Sequence, residues 1–209
     1  MCNCPSGTGK TQFVLKLIER FNETFGHITV VYKASEPRYE FLANKIGHDN
    51  ITFYTSLSKL PQPNDIEHKD TQQLIVFDDL VNCSEKEQAV IKEYYLRGRK
   101  IGKGISLCYL SQSFFKIPKF IRCQCNLLII LKLSSDRDLN LILIDFALGV
   151  YKNLLIKIYK DATKDKFNFL KVDLNTSNIN KRFSKNWNGY YQVEDIDPNE
   201  DADTEFKIN

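Results

Sequence analysis

At 209 residues, 43% hydrophobic and 26% charged, the chain has enough apolar material for one α/β domain, or one domain plus a tail. No apolar run approaches the roughly 18 residues that a membrane span needs, and the polar, glycine-rich start is not that of a secreted protein, so membrane and secreted classes are set aside. The net charge of +3 hides an asymmetry: from Glu194 onward seven acids face the single Lys207, a tail of −6 that leaves +9 on residues 1–193. A basic body with an acidic tail suits a polyanion binder, and equally a solvated surface with a solubilising tail.

Taken in order, the chain opens on Cys4-Pro5-Ser6-Gly7-Thr8-Gly9-Lys10-Thr11, which fits the phosphate-binding pattern G-x-x-x-x-G-K-[ST] except that Cys4 stands at the first glycine. In such a loop, here spanning Pro5 to Thr11, consecutive backbone N–H groups and a helix N-terminus face the phosphates of ATP. Gly7 and Gly9 allow the close approach, Lys10 reaches the β- and γ-phosphates, and the Thr11 hydroxyl ligates Mg²⁺. A plain Gly/Ser turn that carries a lysine is the alternative, and the helical stretch after Thr11 argues against it. Only three residues precede Cys4, so the strand that normally leads into this loop is expected to be missing.

Phe13, Val14, Leu17, Ile18 and Phe21 mark one face of a helix from Thr8 to Phe25, stopped by Gly26. His27–Lys33 is a β-branched run and a buried strand. Pro37 opens a helix to Ile46, Ile51–Tyr54 is a short strand, and residues 59–70 with Pro61 and Pro63 form a loop. Gln73–Leu80 (QLIVFDDL) is a buried strand closing on two carboxylates, with Asp78 expected in the Mg²⁺ shell and Asp79 at the attacking water. Alone, such a run is more often a strand entering a turn; some 68 residues after the loop it reads as a site.

Ser84–Leu96 is a helix with Ser84 and Glu87 at capping-box spacing. It leads into Arg97-Gly98-Arg99-Lys100 and Gly102-Lys103-Gly104, which is a DNA-phosphate contact, an arginine donor to a neighbouring subunit's γ-phosphate, or an exposed basic turn. Ile105–Leu110 is a strand, and Gln112 follows at its carboxyl end, where ligand groups collect in open α/β sheets. Phe114–Arg122 reads as a basic-aromatic loop, Leu127–Leu133 as a strand, Asp136–Leu148 as a helix stopped by Gly149, Asn153–Ala162 as a helix and Phe167–Asp173 as a strand. Strands alternating with helices predict a mostly parallel sheet with helices on both faces. The domain reading is an ATPase core over 1–183, an aromatic polar segment over 184–193 and a disordered acidic tail over 194–209. Cysteines 2, 4, 83, 108, 123 and 125 lack zinc-ligand spacing and read as reduced thiols of an intracellular protein.

Together, CPSGTGKT, LIVFDDL, LRGRK, ISLCYLSQSFFKIPKFIRCQCN and SSDRDLNLILIDFALG resemble the genome-packaging ATPases of Polinton/Maverick transposons and virophages. These are relatives of the poxvirus and giant-virus packaging ATPases within the FtsK–HerA group of P-loop motors. The resemblance runs from the loop to about Phe183. It implies a RecA-like core in a homo-oligomeric ring of five or six subunits, driving double-stranded DNA into a capsid at an intracellular assembly site in host cytoplasm or nucleus, possible contact with a capsid vertex protein included. It carries the phosphate and Mg²⁺ roles to Lys10 and Thr11, the paired acid roles to Asp78 and Asp79, and the sensor role to Gln112. Arg97 and Arg99 both qualify as the arginine offered to a neighbour, with Arg99 preferred. Departures are the missing strand, Cys4 and an aspartate at 79 where glutamate is commoner. They leave open a fragment of a longer protein and a decayed nucleotide-binding remnant without catalysis; a small P-loop phosphotransferase on the same scaffold is a further alternative.

Overall fold

In the computed structural model, residues 2–3, 9–21, 23–33, 37–146 and 150–193 are described. In chain order the elements are β1 (Cys2–Asn3), α1 (Lys10–Arg20), β2 (His27–Tyr32), α2 (Pro37–Ile46), β3 (Ile51–Tyr54), β4 (Gln73–Asp78), α3 (Glu85–Arg97) and β5 (Ile105–Ser111). They continue with α4 (Lys119–Cys123), β6 (Leu127–Ile130), α5 (Asp136–Phe146), α6 (Lys152–Ala162), β7 (Leu170–Asp173), β8 (Phe183–Lys185) and β9 (Gly189–Tyr190). The acidic tail and the Gly149 stop lie outside the described residues. Among those described, no helix is long and apolar enough to cross a membrane.

The chain divides into two compact units, 11–111 with 116–124, and 1–10 with 112–115 and 125–209. In the first, four strands pair in parallel: β3 with β2, β2 with β4, and β4 with β5. Every residue of β4 is buried, as are the first five of β2, which is why these strands read as continuous apolar runs. Parallel neighbours need long crossovers, supplied by α2 between β2 and β3 and by α3 between β4 and β5. All four strands therefore deliver their carboxyl ends to one edge, with Tyr32 opposite Asp78 and Asp78 opposite Leu110.

In the second unit β1 pairs in parallel with β6, and β6, β7, β8 and β9 follow as antiparallel neighbours. This corrects the reading that the strand before the loop is missing. Cys2 pairs with Ile129 and Asn3 with Ile130, because a ladder needs backbone groups rather than an apolar run. Two residues are too few for any periodicity to announce. Other boundaries shift for similar reasons. The loop expected over 114–122 contains α4, a five-residue helix entered from Pro118. The strand expected from Phe167 pairs only from Leu170.

Buried tyrosines brace both units. Tyr94 donates to the Pro61 carbonyl at 2.8 Å, and Tyr191 to Asp161 Oδ2 at 2.6 Å. Burial first, and for Tyr191 the Asp161 carboxylate next, pushes these phenols well above their ordinary 10.0, with Tyr109 and Tyr159 also raised by burial. A raised folded-state value means the stability is fully present below pH 10 and is lost as pH climbs past it. Thermal melts are expected to show Tm falling steadily above about pH 10, with tyrosinate absorbance lagging until the protein unfolds. Full tyrosine ionisation near pH 10 in a still-folded chain would contradict this.

Candidate active site

In the first unit, the edge where β2, β4 and β5 end carries the chemistry. Asp78 closes β4 with only 7% of its surface exposed, and Asp79 follows in left-handed backbone, φ 52°. The Asp79 N–H donates to the Leu110 carbonyl at 3.1 Å, so the turn out of β4 is latched to β5. Tyr39, in the first turn of α2 and 3% exposed, donates its hydroxyl to Asp78 Oδ2. The Tyr39 ring stacks on Tyr32 at 5.3 Å and tilts against Phe53 at 6.0 Å, so an aromatic cluster at the ends of β2 and β3 fixes the donor. Thr11, the second residue of α1, is 5% exposed.

The entry to α3 is built just beyond the two aspartates. Ser84 accepts from the Glu87 N–H, and Glu87 accepts from the Ser84 N–H at 2.8 Å, completing the capping box that the sequence spacing announces. The Ser84 N–H and, at 3.0 Å, the Ser84 hydroxyl both donate to Glu87 Oε2 and, with Lys33 adding less, hold the Glu87 carboxyl below its usual range. Lys33 Nζ lies 3.8 Å from Glu87 Oε2, tying the exit of β2 to the start of α3.

The donors available to a magnesium ion are a hydroxyl, on Thr11, and a carboxylate, on Asp78. Both are hard oxygen ligands of the kind Mg²⁺ takes, and both are buried where a charged carboxylate needs compensation. The residues present therefore fit the ion. No group of three or more His, Cys, Asp or Glu capable of holding another metal occurs among the described residues, and Cys83, Cys108, Cys123 and Cys125 are not in disulfides.

In the second unit, Gly9 takes φ 114° and lies against Phe167 and Leu131, immediately before Lys10 at the start of α1. Gln112 directly follows the last residue of β5 and is exposed. The segment after it is clamped by α5. Asp138 accepts from the Ser113 hydroxyl and the Phe114 N–H, although burial is the larger influence and raises its carboxyl overall. The Arg137 guanidinium sits 4.6 Å over the Phe115 ring, and Phe114 is fully buried edge-on to Phe146 at 5.8 Å. This explains why SQSFF and SSDRDLN occur together in the motif set: the second holds the first.

Pro5, Ser6, Gly7 and Thr8 lie outside the described residues. Arg97 and Arg99 do not join the aspartates. They sit at the far end of α3, where Gly98 packs on Ile105 at the start of β5 and the Gln73 N–H donates to the Gly104 carbonyl at 3.2 Å. The length of β4, about 17 Å at a strand's rise per residue, separates that end from Asp78. Arg97 Nε pairs with Glu93 Oε2 at 2.8 Å, and Arg99 is exposed. Sequence reasoning passed over Tyr39 and Phe167, whose partners are distant in the chain.

A parallel sheet whose inner strand ends in Asp78-Asp79, together with a Gly9-Lys10-Thr11 helix start, defines a P-loop NTPase of the α/β class. The chain belongs to the poxvirus A32 protein family, whose profile matches residues 3–178, and the resemblance to packaging ATPases related to those of poxviruses is borne out. Among curated proteins no sequence matches. Of solved structures, the genome packaging NTPase B204 of Sulfolobus turreted icosahedral virus 2 in complex with AMP is similar at 13% identity and TM-score 0.59, over 85% of this chain and 92% of that one. Its complex with AMPPCP gives 13% identity and 0.58 over the same shares. The conjugation coupling protein TcpA of pCW3, with ATPγS, matches at 13% identity and 0.56 over 84% of this chain and 57% of that one. At these identities the likeness establishes the fold.

Proposed function

We propose that the chain is an ATP-hydrolysing motor that moves double-stranded DNA into a capsid, within the Polinton and virophage branch of its family. The observation that carries the reading is the buried Asp78, presented with Asp79 at the carboxyl edge of a parallel sheet and held there by Tyr39. Similar folds have been captured with AMP, AMPPCP and ATPγS, which supports nucleotide binding. Lys10 holds the phosphates, with Pro5 to Gly9 lining them. Thr11 and Asp78 hold Mg²⁺, which when bound neutralises charge on the β- and γ-phosphates. Asp79 orients and deprotonates the attacking water, and Gln112, on its clamped segment, senses the γ-phosphate.

Arg99 is the arginine offered to a neighbouring subunit. It stands at the end of the sheet away from its own aspartates, so it serves only another copy's site, and Arg97 is engaged by Glu93. That geometry supports a homo-oligomeric ring; in the same proposal double-stranded DNA is its track, a capsid vertex protein its dock and an intracellular assembly site its place.

The purified chain is expected to hydrolyse ATP severalfold faster with double-stranded DNA than without, and Lys10→Ala to abolish turnover. Equal rates with and without DNA would sink the motor reading, and no turnover by the unaltered chain would sink the enzyme.

A further inference from the structure

The turn between α6 and β7 holds a bulky side chain in a backbone conformation that such residues seldom adopt: Phe167 has φ 68°. Such strain persists only where the surroundings over-determine it, and it gathers at ligand sites. Here the surroundings do so on both sides. Asn168 donates to Asp165 Oδ2 at 3.2 Å and accepts from Asn186 Nδ2 at 3.1 Å. The Phe169 N–H donates to Asn186 Oδ1 at 3.2 Å, and its ring, 2% exposed, packs edge-on against Trp187 at 5.2 Å.

Phe169 thus anchors the turn in the core, while Phe167 remains 37% exposed. Its ring edge is seated on the phosphate loop: a Cβ added at Gly9 would come within 2.8 Å of Phe167 Cδ1. The Lys166 ammonium stands 5.0 Å from the ring centroid, a cation over an aromatic face. Core packing accounts for none of these three features together. A half-open ring against Gly9, the residue before Lys10, borders the place proposed for the nucleotide's phosphates.

We propose that Phe167 is the stacking platform for the nucleobase of the bound nucleotide, flanked by Lys166. The proposal rests on the reading that Gly9 and Lys10 hold the phosphates. Stacking uses the π-face that every base has, so ATP and GTP are served alike.

Calorimetric titration with ATP, AMP and inorganic tripolyphosphate separates the base from the phosphates. Phe167→Leu is expected to weaken ATP and AMP about tenfold or more and to leave tripolyphosphate unchanged, which also shows the variant is folded. Phe167→Trp keeps or tightens ATP and AMP. Equal weakening of ATP and tripolyphosphate by Phe167→Leu would mean that the ring merely props Gly9 and would overturn the platform, as would no change in either. An unaltered chain that binds neither ATP nor tripolyphosphate overturns the phosphate reading itself, and the platform with it.

Discussion

Asp78→Asn is expected to cut ATP turnover by at least about a hundredfold while leaving Tm unchanged or slightly raised. The two halves of that expectation have separate causes. Asn matches Asp in volume, and its amide oxygen still accepts the Tyr39 hydroxyl, so packing at the end of β4 is kept. A carboxylate only 7% exposed is costly to keep charged, and the neutral amide removes that cost. What is lost is the negative charge offered to Mg²⁺. The paired variant Tyr39→Phe leaves the charge and removes its donor, so Mg²⁺ dependence of nucleotide binding should weaken by about tenfold without loss of fold. Turnover by Asp78→Asn at the unaltered rate would remove Asp78 from the metal role.

Gly9→Ala is expected to cost about 2–4 kcal/mol of stability and to abolish nucleotide binding. Two effects act at once. At φ 114° any side chain is strained, and the added Cβ would stand 2.8 Å from Phe167 Cδ1. They can be told apart, because Phe167→Leu in the Gly9→Ala background relieves the contact and leaves the backbone strain. Partial recovery of Tm in the double variant, measured by chemical or thermal unfolding, is the expected coupling. Strict additivity of the two changes would show that the ring and the glycine do not meet.

The sheet around the aspartates was largely legible because burial on both faces writes strands as unbroken apolar runs. HITVVY and QLIVFD leave no other reading for stretches of that length. Helix α3 was legible from a local device, the Ser84–Glu87 box, that works whatever the tertiary structure does. Elements with no such local signature were missed. Cys2–Asn3 and Gly189–Tyr190 are two residues long and pair with the ladders that β6 and β8 offer them. Phe167 alternates with Phe169 as a strand residue should, yet its place is set by Gly9, far away in the chain. The site splits the same way: Lys10, Thr11, Asp78 and Asp79 stand in motifs, whereas Tyr39 lies in an ordinary amphipathic helix and only its distance to Asp78 reveals it.

The aspartate at 79, where glutamate is commoner, has its explanation in the turn that carries it. Left-handed backbone at φ 52° is comfortable for Asp, Asn and Gly and unfavourable for longer side chains. The latch to Leu110 fixes that turn. A drift from Asp to Glu at this position is therefore not a single step of one methylene. It requires the backbone to change with it, so Asp79→Glu is expected to strain this turn and loosen its latch to Leu110.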